Sequence, residues 1–187
     1  MDFNKVIKKR ASIRDYSNKE LKYDKIIDAI EAANFAPSPG NISILKYIIV
    51  EDPEKINKIA DACQQDFIKN APVVIAFCSD IKRIKIMYEE RAEKYVKQHV
   101  GAAIENFLLK ITEMNLASCW VGAFSEVVVK NILEVPDNIE VEAVIPIAYP
   151  SKTNRTNQAP KPDLGNVVYF ERYKNKFKEP IKKTGTH

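Results

Sequence analysis

An α+β fold is the prediction for this 187-residue chain. Apolar runs of strand length are scattered among helical patterns along its length. One run, Pro72-Val73-Val74-Ile75-Ala76-Phe77-Cys78, is apolar throughout, as a strand buried on both faces must be. A helix over 100–114 sets Val100, Ala103, Ile104, Phe107, Leu108, Ile111 and Met114 at 3.6-residue spacing, and Ala102 and Leu109 widen its apolar face almost to a full circle. Such a helix is buried in a core or against a second subunit, and for a chain this short a dimer interface is the expectation. At roughly 100–200 residues per domain, the length fits one domain. Residues 1–173 are read as that domain and 174–187 as a basic C-terminal tail.

The elements follow in order. Phe3, Val6 and Ile7 give residues 2–9 a helical stripe. Ser17-Asn18-Lys19-Glu20 has the form of a capping box, ahead of a second helix whose apolar face is Ile26, Ile27, Ile30 and Ala33. Ala36-Pro37-Ser38-Pro39-Gly40-Asn41 is a loop, because two prolines and a glycine so close together cannot continue a helix. A strand at 47–50 and a helix at 53–67 precede the 72–78 strand. The charged stretch 80–97 reads as helical, with Tyr88 and Tyr95 among the charges. After 100–114 come a short strand at 119–121, a helix at 125–135 and a strand at 141–149. Pro146 inside that strand removes a ladder donor and predicts an edge or a bulge. Val167-Val168-Tyr169-Phe170 reads as a last strand in an extended arm.

Composition narrows the chemistry. Hydrophobic residues make up 45% and charged residues 29%, ordinary values for a globular protein. No apolar run approaches the ~20 residues that span a bilayer, and the first ten residues lack a signal-peptide stretch, so a cytoplasmic protein without a membrane partner is expected. A net charge of +4 is too even to point to nucleic acid. Cys63, Cys78 and Cys119 form no C-x-x-C pair, which argues against a zinc site or a disulfide framework. With five glycines, neither GxGxxG nor GxxxxGK[ST] can be written, and with two histidines a Ser-His-Asp triad would rest on His99 alone. Whatever chemistry occurs is borrowed from a cofactor.

Three segments are candidates for holding one. Arg10-Ala11-Ser12-Ile13-Arg14 places two guanidinium forks and a hydroxyl close together, a donor set for phosphate oxygens, although the same spacing serves a solvated helix end. Pro37-Ser38-Pro39-Gly40-Asn41-Ile42-Ser43 is a rigid loop with short polar side chains, suited to a flat ligand edge or to an ordinary surface turn. In Ala117-Ser118-Cys119-Trp120-Val121-Gly122-Ala123-Phe124, small residues let backbone N–H groups approach a ligand, while Trp120 and Phe124 also read as core.

Their order is more specific than any one of them. R-x-S-x-R, then A-P-S-x-x-N, then Ala102-Ala103-Ile104-Glu105-Asn106-Phe107-Leu108-Leu109, then C-W-V-G-A-F, then Ile132-Leu133-Glu134-Val135-Pro136, and last Ile147-Ala148-Tyr149-Pro150 together resemble the nitroreductase family of FMN-dependent oxidoreductases. The resemblance covers residues 2 to about 173. It implies a nitroreductase-like fold with a central, mainly antiparallel sheet flanked by helices, in an intertwined homodimer whose long helix packs across the interface and whose C-terminal arm embraces the partner. It also implies FMN at that interface. By position, Arg10, Ala11, Ser12 and Arg14 match the segment for the phosphate and ribityl chain. Pro37, Ser38, Asn41 and Ser43 match the loop lent by the other subunit, and Trp120, Gly122 and Ala123 the segment beside the ring. Lys161 stands where a late arginine commonly binds the phosphate. Ser43-Ile44-Leu45 replaces the usual Gln-Pro-Trp, and Ala148 a usual glycine.

The activity implied is ping-pong hydride transfer from NAD(P)H through the flavin to a small-molecule electron acceptor such as a nitroaromatic or quinone. No catalytic acid or base is assigned. The alternatives are a flavin-binding protein with little turnover, for which Ser43-Ile44-Leu45 is the feature, and another flavin redox reaction such as dehydrogenation or dehalogenation. Tyr88, Arg91 and Tyr95 are candidates for substrate selection or residues of a solvated helix.

Overall fold

The computed structural model describes residues 1–152 and 160–176. They fall into two compact units, Met1–Thr156 and Asn157–His187. In chain order the first unit contains α1 (Phe3–Lys9), β1 (Tyr16–Ser17), α2 (Tyr23–Asn34), β2 (Leu45–Val50), α3 (Pro53–Cys63), β3 (Val73–Asp80), α4 (Lys82–Tyr88), α5 (Ala92–Glu113), β4 (Ala117–Ser118), α6 (Glu126–Leu133) and β5 (Ile139–Pro150). The strands form one sheet in the order β1-β5-β3-β2, with β4 also on β5, and every pairing is antiparallel. The expected α+β class and mainly antiparallel sheet are therefore found.

β3 explains the architecture. It lies between β2 and β5, and Val73 to Ser79 are buried without a break. Successive side chains of a strand point to opposite faces. Val73, Ile75 and Phe77 accordingly join the core under α2, α4 and α5, while Val74, Ala76 and Cys78 join the core under α3 and α6. Helices cover both faces, so no position of the strand is left to be polar.

α5 is longer than its apolar run. Its buried residues, among them Ala92, Val96, Val100, Ala103, Phe107 and Ile111, keep one stripe over 22 residues, about 33 Å at 1.5 Å per residue. The charges between 92 and 98 are its solvated face, so the predicted start at 100 is corrected to Ala92. The 80–97 segment is not one helix either: α4 stops at Tyr88, and a 3-10 turn over Glu89–Arg91 leads into α5.

Four further expectations are corrected. Ser17 caps no helix: it pairs with Tyr149 in β1, and α2 starts at Tyr23 without a side-chain cap. Tyr16, 8% exposed and 6.1 Å from the Phe67 ring, anchors that segment to the sheet instead. The strand at 119–121 is displaced to Ala117–Ser118, leaving a single bridge between Val121 and Val144. Pro146 sits at neither an edge nor a bulge, since it pairs with Val74 in mid-strand and the β3/β5 irregularity falls between Phe77 and Cys78. On its other side β5 is paired only at Val144 and again from Ile147, so the missing N–H falls in a gap of the ladder. The last correction lies in the second unit. Residues 164–167 form α7 (Leu164–Val167), not the start of a strand, and the Asp163 side chain caps it by accepting from the Gly165 N–H at 2.7 Å. Most of the predicted basic tail, residues 177–187, lies outside the described residues.

Cys63, Cys78 and Cys119 are free and buried. Burial pushes the Cys63 thiol up from 9.0 to about 11, and burial with the charge of Glu142 does the same to Cys78. A folded state that holds these protons keeps their stabilising contribution below the ordinary thiol pKa and loses it as pH rises from about 9 to about 11. None of the three thiols is expected to react with an aromatic disulfide reagent at pH 8 in the folded chain, and all three in urea. Rapid native labelling of any of them would contradict this burial.

Candidate functional site

Between α1 and β1 the chain is extended, and the Ile13 N–H donates to the Ser118 carbonyl at 2.9 Å. That bond lays residues 10–14 along β4. The two-residue alternation of extended chain then sorts the motif. Ile13 turns inward against Tyr16, Ala71, Ala117 and Ala148, while Ser12 and Arg14 are exposed. Ala11 joins Ile13 in lining a cavity of about 390 Å³ with Thr112, Leu116 and Pro150. Arg10 Nε lies 3.5 Å from Glu105 Oε1 of α5, a partly solvated pair that contributes at most about 1 kcal/mol but fixes the direction of the guanidinium. Arg14 lies over the Phe67 ring at 5.7 Å.

The C-W-V-G-A segment alternates in the same way. Cys119 and Val121 are buried, whereas Trp120 is 41% exposed and Gly122 and Ala123 are exposed. Nothing stands over Gly122: a methyl group there would find no neighbour closer than Trp120 Nε1 at 4.0 Å. Burial pushes the Cys119 thiol up, opposed by the Arg14 guanidinium and by a hydrogen bond with Ser12. Two of the three predicted segments therefore run side by side, with Ser12 and Arg14 next to Cys119. Together they offer two guanidiniums, a serine hydroxyl and the exposed backbone at Gly122. This set fits a molecule with an anionic phosphate, hydroxyl groups and a flat ring.

The third segment is built onto another part of α5. Pro39–Asn41 is a 3-10 turn in which Gly40 and Asn41 have φ of 58° and 56°. His99 Nδ1 meets the Pro37 carbonyl at 2.8 Å, and because a carbonyl only accepts, Nδ1 carries the proton. His99 lies about 9 Å along the helix from Glu105, on a different side of it. Pro37, Ser38 and Pro39 wall a cavity of about 400 Å³ with Tyr88, Tyr95 and His99. The tyrosine rings meet edge to face at 5.0 Å. Arg91 is exposed in the turn before α5. Ser43 is exposed beside the loop, while Ile44 and Leu45 are core residues where β2 begins, 2% and 5% exposed. Lys161 belongs to the second unit, where it is exposed.

Sequence reasoning assigned no role to His99, which is 4% exposed and whose Nε2 has no hydrogen-bond partner among the described residues. A polar group so placed costs about 1–3 kcal/mol. The available signal was its position in the buried stripe, between Val96 and Ala103.

The sequence profile of the nitroreductase family matches residues 7–69 and 61–149. The chain belongs to the nitroreductase family. It is 32% identical over 151 residues to a candidate NADH dehydrogenase/NAD(P)H nitroreductase of Archaeoglobus fulgidus, covering 78% of this chain and 84% of that protein. To an FMN reductase [NAD(P)H] of Bacillus subtilis it is 32% identical over 118 residues, 61% of this chain and 47% of the relative. Among solved structures, a nitroreductase family protein from Clostridium novyi superposes with a TM-score of 0.76 at 27% identity, over 94% of this chain and 96% of the other. This nitroreductase fold accounts for the sheet and its two helical layers.

Proposed function

We propose that this nitroreductase-family chain is an FMN-dependent oxidoreductase working by a ping-pong sequence between NAD(P)H and a nitroaromatic, quinone or similar acceptor. The observation that carries the reading is that residues 10–14 run beside the segment leading into 119–123, with the Ile13 N–H on the Ser118 carbonyl and Ser12 and Arg14 at Cys119. Arg10 and Arg14 donate to the phosphate as charged forks and Ser12 donates from its hydroxyl. The backbone of 120–123 borders the ring, where an N–H donor steadies negative charge on its edge. When bound, FMN supplies hydride transfer, accepting from the nicotinamide and delivering to the acceptor. The chain's part is to fix the ring and leave room above it. Family membership and the names of relatives that use FMN and NAD(P)H support this assignment.

The proposal includes a homodimer, in which Pro37, Ser38, Asn41 and Ser43 face the other subunit's cofactor. An exposed apolar face supports it: Phe3 is 66%, Ile7 49% and Phe35 79% exposed on α1 and at the end of α2. Phe3, Phe35 and Leu109 of α5 line a hollow of about 360 Å³ on it.

The test is the visible spectrum of the purified protein, before and after NADH or NADPH is added without oxygen. A flavin spectrum that bleaches within seconds is expected, from a particle of twice the 21.3 kDa chain mass. A protein that binds no flavin after reconstitution with FMN overturns the reading.

A further inference from the structure

We propose that His99 is a positioning residue for the 37–43 loop: the N–H it donates to the Pro37 carbonyl sets where that loop stands, and the chain carries the histidine for this bond at a net cost in stability. The proposal rests on the proposed function only for what the loop faces, the flavin of the other subunit.

The loop fixes its own shape but not its own place. Gly40 and Asn41, with φ of 58° and 56°, close a turn in which the Asn41 N–H donates to the Ser38 carbonyl and the Ile42 N–H to the Pro39 carbonyl, each at 3.1 Å. Pro37 and Pro39 have no N–H to give. Just before them, the Ala36 N–H returns to the Ala33 carbonyl of α2. Among the described residues, the one hydrogen bond that ties 37–43 to another element is the 2.8 Å bond from His99 Nδ1 to the Pro37 carbonyl. Its donor is held firmly, because His99 stands in the buried stripe of α5 between Val96 and Ala103. The same helix sets Glu105 against Arg10 at 3.5 Å. α5 therefore carries a support for each of two segments that serve different flavins in the proposed dimer.

Energetics separate placement from stability. A hydrogen bond between neutral groups adds a modest net amount to stability, since water serves both partners in the unfolded chain, whereas a buried acceptor left unpaired loses its hydration outright. His99 has both: the Nδ1 bond on one side of the ring and, on the other, a buried Nε2 with no partner among the described residues. Pro37 is exposed, so water can take the donor's place at its carbonyl. An apolar side chain of similar volume at position 99 would remove the orphaned nitrogen and keep the space filled. Stability alone therefore favours leucine there, and the histidine is accounted for by the bond it makes to the loop. Residues that break a folding rule in this way concentrate where function needs a fixed geometry.

The test compares His99→Leu and His99→Asn with wild type at pH 8. Asparagine keeps an N–H for the Pro37 carbonyl, and leucine does not. In His99→Leu the urea midpoint is expected to hold or rise, while hydrogen exchange at the Asn41 and Ile42 amides quickens at least fivefold. In the same variant FMN, released on dilution of the holoprotein and read by its fluorescence, should bind about tenfold more weakly, because the loop is no longer preorganised. In His99→Asn exchange and FMN affinity should return to within about twofold of wild type. Unchanged exchange in His99→Leu, exchange equally quickened in His99→Asn, or a lowered urea midpoint in His99→Leu overturns the proposal, the last because a merely structural residue loses stability and function together. A wild type that binds no FMN overturns the flavin reading, and exchange with the urea midpoint still decides the part of His99. Exchange as expected with unchanged FMN affinity overturns the placing of the loop at the flavin and leaves the role of the bond standing.

Discussion

Arg14→Ala is expected to weaken FMN binding by about 10- to 30-fold while leaving the fold in place. A hydrogen bond to a charged group contributes roughly 1.5–3 kcal/mol, and each 1.4 kcal/mol is a factor of ten. The lower end applies because the Arg14 side chain is exposed in the free chain. The same exposure keeps the cost to stability small, since the visible loss is a solvated contact with the Phe67 ring at 5.7 Å, about 0.5–1 kcal/mol. Arg14→Lys should fall between wild type and alanine, because it keeps the charge and loses the fork. Fluorescence titration with FMN measures the affinity, and a urea transition checks the fold. An unchanged Kd would remove Arg14 from the phosphate site.

What the sequence made legible was whatever a local pattern records. β3 was readable because a strand covered on both faces has no polar position, and α5 because its buried stripe is dense from Val100 onward. The residues of R-x-S-x-R were readable as a donor set, but their common face was not. That face is created by the bond from Ile13 to Ser118, more than a hundred residues away in sequence. β1 was missed for the same reason: Ser17 has the local signature of a cap, and only pairing with Tyr149 at the far end of the chain makes it a strand. The break between α4 and α5 falls on Glu89, whose positive φ neither glycine nor proline announces. His99 was hidden by its company, because a lone histidine in an apolar stripe looks like core until the carbonyl of Pro37 is placed against it.

Phe107→Ala is expected to be the most destabilising of the substitutions considered, at about 3–5 kcal/mol. The Phe107 ring is 0% exposed and meets Phe77 of β3 edge to face at 5.2 Å, and Phe77 in turn meets Tyr47 of β2 at 5.1 Å. The three rings tie α5 to the middle of the sheet, and a domain with a total stability of about 5–15 kcal/mol gives up a large share when one is removed. The urea midpoint should fall sharply with little change in slope, and Phe107→Leu should recover most of the loss. The effect reaches the site because α5 carries both of its supports, Glu105 for Arg10 and His99 for the Pro37 carbonyl. FMN affinity in Phe107→Ala should therefore decline under conditions where the protein is still folded, although Phe107 itself is 0% exposed and out of a ligand's reach. A variant that loses stability yet binds FMN as tightly as wild type would mean that the site is held by the sheet and not by α5.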